Sequence, residues 1–168
     1  MRVFVCLPTY EERDNLEPLV RALGTVFARA GLDDARVLVV DDASPDGTGE
    51  IADRLAEDLE WVEVLHRDRK EGLGPAYVAG FRRALAEGAD LVVCMDADFS
   101  HDPKDVPRLV GAAAHADLVL GSRYVPGGHV ENWGPVRRAV SAAGTWYGRV
   151  VLGLGFRDLT GGFKCFRR

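Results

Sequence analysis

Five apolar runs suited to strands, at residues 3–8 (VFVCLP), 35–42 (ARVLVVDD), 61–66 (WVEVLH), 91–98 (LVVCMDAD) and 116–123 (ADLVLGSR), are separated by segments of helix length. That alternation predicts an α/β domain built on a mainly parallel sheet with helices on both faces. The punctuation agrees. Asp102, Pro103 and Asp105 read as the N-cap, first-turn proline and first-turn acid of a helix over about 103–115. ASPDGT (43–48) is a turn leading into a helix over 48–60, and DNLEPLVRALGTVFARAG is an amphipathic helix ending in Gly31. No repeat, low-complexity tract or linker divides the chain, so one domain is expected over residues 1–168.

A hydrophobic content of 47% lets a chain of 168 residues bury a substantial core. The N-terminus lacks the order of a signal peptide, and no stretch approaches the roughly 18 uncharged apolar residues of a spanning helix. Cys6, Cys94 and Cys165 are far apart without a CxxC pair, which argues against a disulfide framework or zinc site and for a cytoplasmic protein. Cys6 and Cys94 read as small buried hydrophobes. A net charge of −5 argues against nucleic acid as a general partner. The average hides a division: residues 1–120 carry 13 Lys and Arg against 24 Asp and Glu, whereas residues 121–168 carry 8 against 2. The basic last third suggests an anionic partner or an anionic lipid surface.

In an open parallel sheet, ligands gather outside the carboxyl ends of the strands. PTYEE, DDASPDG, DADFSHDP and GSRY all follow expected strands, so four strand ends deliver polar groups to one rim. Asp96 and Asp98, two residues apart in extended backbone, point to the same side. Two carboxylates ~4 Å apart repel by about 4 kcal/mol at an effective dielectric of about 20, so a shared proton, an arginine or a divalent cation must offset them. A hard ion such as Mg2+ or Mn2+ suits so sparse a pair, because it completes its shell with substrate phosphate oxygens. Capping and turn formation are the plain alternative. Of Asp41 and Asp42, one is expected to face the rim and the other to hold the loop; a rim carboxylate accepts hydrogen bonds from a nucleobase. Tyr10 would stack on or flank the base, and Glu12 would add an acceptor.

KEGLGPAYVAG (70–80) contains a pair of glycines that invites a dinucleotide-binding reading. The pair follows the third strand rather than the first, so it is read instead as the start of a helix. Arg123, Arg137 and Arg138 carry planar guanidinium groups suited to phosphate. His101 and His129 lack metal-like spacing and are read as solvated loop residues.

LPTYEERDNL, VLVVDDASPDGTGEIADRL, HRDRKEGLGPAYVAGF, MDADFSHDP, LVLGSRYVPGG, NWGPVRRAVSAAG and RDLTGGFKCFRR, taken together and in order, resemble the polyprenol (dolichol) phosphate mannosyltransferases, inverting glycosyltransferases of family 2 with the Rossmann-like GT-A nucleotide-sugar fold. The resemblance implies transfer of mannose from GDP-mannose to a polyprenyl monophosphate, by a protein peripherally associated with the cytoplasmic face of a membrane or with a membrane-embedded partner. Position by position, it implies that Pro8, Tyr10, Glu12 and Asp42 bind the nucleotide, with Asp96 and Asp98 holding metal and diphosphate. Arg123, Arg137 and Ser141 match positions that contact the donor diphosphate or the acceptor phosphate; Asp98, Arg123 and Arg137 are the catalytic candidates. Ser100 stands where many members have a glutamine that completes the metal shell, and the resemblance puts it third in the metal site beside Asp96 and Asp98, as a weaker or water-mediated ligand. The family's domain usually continues past TGGFKCFRR, so residues 1–168 are expected to lack its C-terminal acceptor-side portion. A UDP-sugar donor and a non-catalytic sugar-nucleotide-binding module stay open as alternatives. A signalling receiver domain fits poorly, since its acidic pair follows the first strand and here the pair follows the second.

Overall fold

The computed structural model describes residues 1–122, 143–144, 146–148, 150–151, 153 and 161–168. The elements are β1 (Val3–Thr9), α1 (Arg13–Ala30), β2 (Ala35–Asp41), α2 (Thr48–Asp58), β3 (Val62–His66), α3 (Leu73–Ala86), β4 (Leu91–Cys94), a 3-10 turn (Pro103–Asp105), α4 (Val106–Ala112), β5 (Leu118–Leu120) and β6 (Lys164–Arg167). They form a six-stranded sheet in the order β3-β2-β1-β4-β6-β5. β1 pairs in parallel with β2 and β4, and β2 with β3.

Alternation along the strands sorts the core into two layers. Val3, Val5, Leu7, Val37, Val39, Leu91 and Val93 point to one face, where Leu16, Leu19, Leu23, Leu55, Leu109 and Val110 of α1, α2 and α4 meet them. Phe4, Cys6, Leu38, Val40 and Val92 point to the other, covered by Ala76 and Ala84 of α3. Strands buried on both faces read as continuous apolar runs, which is why they were visible in the sequence. All three cysteines are buried and unbridged. α1 stops where expected: Gly31 adopts a left-handed φ of 64°, and Leu32 N–H donates to the Phe27 carbonyl at 3.0 Å.

Two expectations need correction. β4 ends at Cys94, so Asp96 and Asp98 lie in the loop beyond the strand and extended-strand alternation does not govern them. β6 was not anticipated; it lies between β4 and β5 and runs antiparallel to both. Its four residues, KCFR, carry charges at both ends and too few apolar positions to register as a strand. Alternation still operates there: Cys165 is fully buried in the layer of α1 and α4, while the ring of Phe166 meets Phe81 of α3 edge-on at 5.3 Å. Among the described residues, no helix is long and apolar enough to cross a membrane.

Candidate active site

β2 and β3 build outward on one side of β1, while β4 lies on its other side after α3 has crossed the opposite sheet face. The order therefore reverses between β1 and β4, which opens a crevice at their carboxyl ends. Among the described residues, three non-glycine residues have positive φ: Glu11 (59°), Ala43 (54°) and Phe99 (60°). One falls in each loop after β1, β2 and β4. Left-handed backbone costs such residues about 1–2 kcal/mol each, so strain is concentrated on this rim.

The acidic pair at the end of β2, Asp41 its last residue and Asp42 the next, divides its work as expected in part. Asp41 is buried and holds the loop: its carboxylate accepts from Thr9 Oγ1 at 3.0 Å, Ser44 Oγ at 2.6 Å and Ser44 N–H at 3.1 Å. Asp42, expected at the rim, is also buried, with a relative exposure of 4%. Its Oδ1 accepts from Arg67 Nη1 at 2.6 Å, and its Oδ2 from the Glu71 N–H at 3.3 Å. A nucleobase reaching Asp42 must share it with these donors, using the remaining lone pairs.

Arg67 belongs to a charged segment after β3 whose role the sequence reading missed. Its Nη2 also donates to Glu71 Oε2 at 2.5 Å, and Arg69 pairs with the same Glu71. His66, Arg67, Asp68, Arg69 and Glu71 line a cavity of about 380 Å³ that adjoins Asp42 through Arg67 and Glu71. Lys70 Nζ lies 3.5 Å from the centroid of the Tyr10 ring, so a cation covers one face of the residue expected to flank a base. Glu12 Oε2 accepts from Asn15 Nδ2 at 2.8 Å, and Glu12 N–H donates to Thr48 Oγ1 at 3.0 Å, tying the start of α1 to α2. Pro8 lies within β1, opposite Val40 of β2.

Beyond β4, Asp96 Oδ1 accepts from Tyr77 Oη at 3.2 Å. Burial pushes the Tyr77 phenol up and the Asp96 carboxylate adds to the shift, so this hydroxyl remains a donor. Asp96 N–H donates to His101 Nδ1 at 3.1 Å. His101, read from sequence as solvated, has only 15% of its side chain exposed and stacks on Phe163 with ring centroids 4.9 Å apart and planes at 13°. Asp98 is more open. Burial raises its carboxyl, but hydrogen bonds from the Ser100 hydroxyl and N–H, with His101 nearby, outweigh that and hold it below the ordinary carboxylate range. Ser100 N–H reaches Asp98 Oδ1 at 2.9 Å. Asp102 caps the next turn as expected, accepting from Lys104 N–H at 3.0 Å. Arg123, His129, Arg137, Arg138 and Ser141 lie outside the described residues.

Asp96, Asp98 and Ser100 offer hard oxygen donors only. Among the described residues, no group of three or more His, Cys, Asp or Glu side chains converges on a metal position. Such a set fits Mg2+ or Mn2+, which need few carboxylates when phosphate and water oxygens complete the shell, and it does not fit a closed zinc site.

Residues 4–168 match the family model Glycosyl transferase family 2. The chain is 50% identical over 167 residues to the undecaprenyl-phosphate mannosyltransferase of Micrococcus luteus, covering 99% of this chain and 67% of that protein. It is 48% identical over 169 residues to the polyprenol monophosphomannose synthase of Mycolicibacterium smegmatis, covering 99% of this chain and 62% of that one. The chain thus spans about two thirds of the length of these curated relatives. A mannosyltransferase from Pyrobaculum calidifontis, solved with GDP-Man and Mn2+, shares the fold with a TM-score of 0.66 at 21% identity, over 99% of this chain and 44% of that one. With a family match running from β1 through β6, the chain belongs to the family 2 glycosyltransferases and has their GT-A fold.

Proposed function

We propose that the chain carries out inverting transfer of mannose from GDP-mannose to a polyprenyl monophosphate, giving polyprenyl-phosphate-mannose. The observation that carries this reading is the 50% identity, over 99% of the chain, to a protein named as an undecaprenyl-phosphate mannosyltransferase. The GDP-Man and Mn2+ bound by the Pyrobaculum calidifontis fold neighbour support the choice of donor and metal.

In this reading Pro8, Tyr10, Glu12 and Asp42 hold the nucleotide, with Arg67 fixing the Asp42 carboxylate. Asp96 and Asp98, with Ser100 orienting Asp98, hold Mg2+ or Mn2+, which when bound stabilises charge on the departing diphosphate. An acceptor phosphate oxygen, already anionic at neutral pH, forms the new bond to the anomeric carbon; the bond to the diphosphate breaks and its electron pair leaves with GDP. No strong general base is required, so rate comes mainly from alignment. Arg123 contacts the donor diphosphate, while Arg137 and Ser141 take the acceptor phosphate. The basic balance of residues 121–168 and the exposed helical side chains Trp146, Tyr147, Val150 and Val151 support peripheral attachment to an anionic lipid surface, on the cytoplasmic side.

Turnover with a soluble short-chain polyprenyl phosphate tests the proposal. GDP-mannose is expected to be consumed and UDP-glucose left intact, and Arg137→Ala to raise the acceptor KM more than the donor KM. Donor binding without turnover would instead identify a sugar-nucleotide-binding module.

A further inference from the structure

Asp96 is one of the least independent side chains on the rim. Its main-chain N–H is taken by His101 Nδ1 at 3.1 Å, and the same nitrogen lies 3.9 Å from its Oδ2. The imidazole cannot drift, because it stacks on Phe163, which is itself 7% exposed. Phe163 is held in turn from β5: its carbonyl accepts the Gly121 N–H at 2.8 Å, and a Cβ at Gly121 would fall 2.8 Å from its ring. Gly162 closes the same corner, where a Cβ would stand 3.1 Å from Asp96 Oδ2 and 3.2 Å from His101 Cε1. Phe99, at φ 60°, lies between Asp98 and His101 and turns the loop back on itself. The backbone of Asp96 has already left β4, so no ladder hydrogen bond sets its direction. The imidazole supplies the acceptor that a partner strand would have provided.

We infer that His101 is a positioning residue: its Nδ1 lone pair, braced by the stack on Phe163, fixes the Asp96 main chain and so aims the carboxylate at the donor's diphosphate and metal. This rests on the reading of Asp96 given above. It also assigns a purpose to β6, whose insertion beside β4 brings Gly162 and Phe163 against the acidic loop. The part that matters is the acceptor atom rather than the ring. Asn at position 101 places Oδ1 one bond from Cγ, as Nδ1 is in histidine, whereas Phe keeps a stacking ring and has no acceptor.

Calorimetric titration with GDP-mannose, with and without MnCl2, distinguishes the two. His101→Phe is expected to weaken Mn2+-dependent binding about tenfold, the effect of one lost oriented hydrogen bond, while metal-free binding stays unchanged. His101→Asn is expected to restore affinity to within about threefold of the parent. Equal affinity of His101→Phe and the parent, or no recovery in His101→Asn, overturns the assignment. Should His101→Phe fail to fold, His101→Asn decides alone: a folded variant more than about tenfold weaker rejects the acceptor role. Asp96→Asn run beside them separates the two readings. If it loses Mn2+-dependent binding while His101→Phe does not, only the positioning role fails; if it binds like the parent, the donor corner fails as well.

Discussion

Arg67 donates from Nη1 to Asp42 Oδ1 at 2.6 Å, with 11% and 6% of the two side chains exposed. Removing one partner of so enclosed a pair leaves a charge in poor solvent, which costs more than the pair's own net contribution. Arg67→Met is therefore expected to lower unfolding free energy by about 3 kcal/mol and to weaken nucleotide binding together with it. Urea denaturation checks the first effect and calorimetry the second. A variant as stable as the parent would show the pair to be a surface accessory.

Gly162→Ala acts at the other corner. The added Cβ meets Asp96 Oδ2 at 3.1 Å and His101 Cε1 at 3.2 Å, tighter than ordinary contact. A few tenths of an ångström of displacement is tolerable to the fold and costly to an aligned carboxylate. The expected outcome is a melting temperature within a few degrees of the parent, with turnover down about tenfold. An unchanged rate would show that the corner has slack.

The sequence made some of this legible and hid the rest for a physical reason. Signals carried by neighbouring residues were readable: the buried strands, the Asp102 cap and the left-handed Gly31; the acidic pair stood out too, but not that Asp41 would take the loop through Ser44 or that Asp42 would be buried beside it. Contacts between distant segments were not. Arg67 reaches back 25 residues to Asp42, and His101 lies on a phenylalanine 62 residues further along, a neighbour supplied by a strand too short and too charged to announce itself. Both stand among polar neighbours in sequence, which hid the long contact of Arg67 and made His101 read as a solvated loop residue.

Two of the buried thiols give a pH test. Burial pushes Cys94 up to about 12 and Cys165 up to about 11, from an ordinary 9.0. The unfolded chain then releases those protons from about pH 9, while the folded chain holds them, so the unfolded state binds fewer protons across that window. Stability is present in full below pH 9 and declines as pH rises through the folded values. The melting temperature is expected to fall between about pH 9 and pH 11, and less steeply in a Cys94→Ala/Cys165→Ala variant. At pH 8 the native thiols should resist a disulfide reagent; prompt labelling would contradict their burial.

For the lipid surface, Trp146 is 67% and Val150 63% exposed. A Trp146→Glu/Val150→Glu variant is expected to lose at least about tenfold in co-sedimentation with vesicles containing anionic lipid, without losing GDP-mannose binding. Equal sedimentation would place the membrane contact elsewhere.

The most direct test of the account is the affinity for GDP-mannose, measured by calorimetry with and without Mn2+, in the parent and in Asp98→Asn. The account predicts that Mn2+ tightens binding in the parent, and that the variant, with an unchanged circular dichroism spectrum, loses that gain. Equal affinity in the two proteins, metal present, would contradict it.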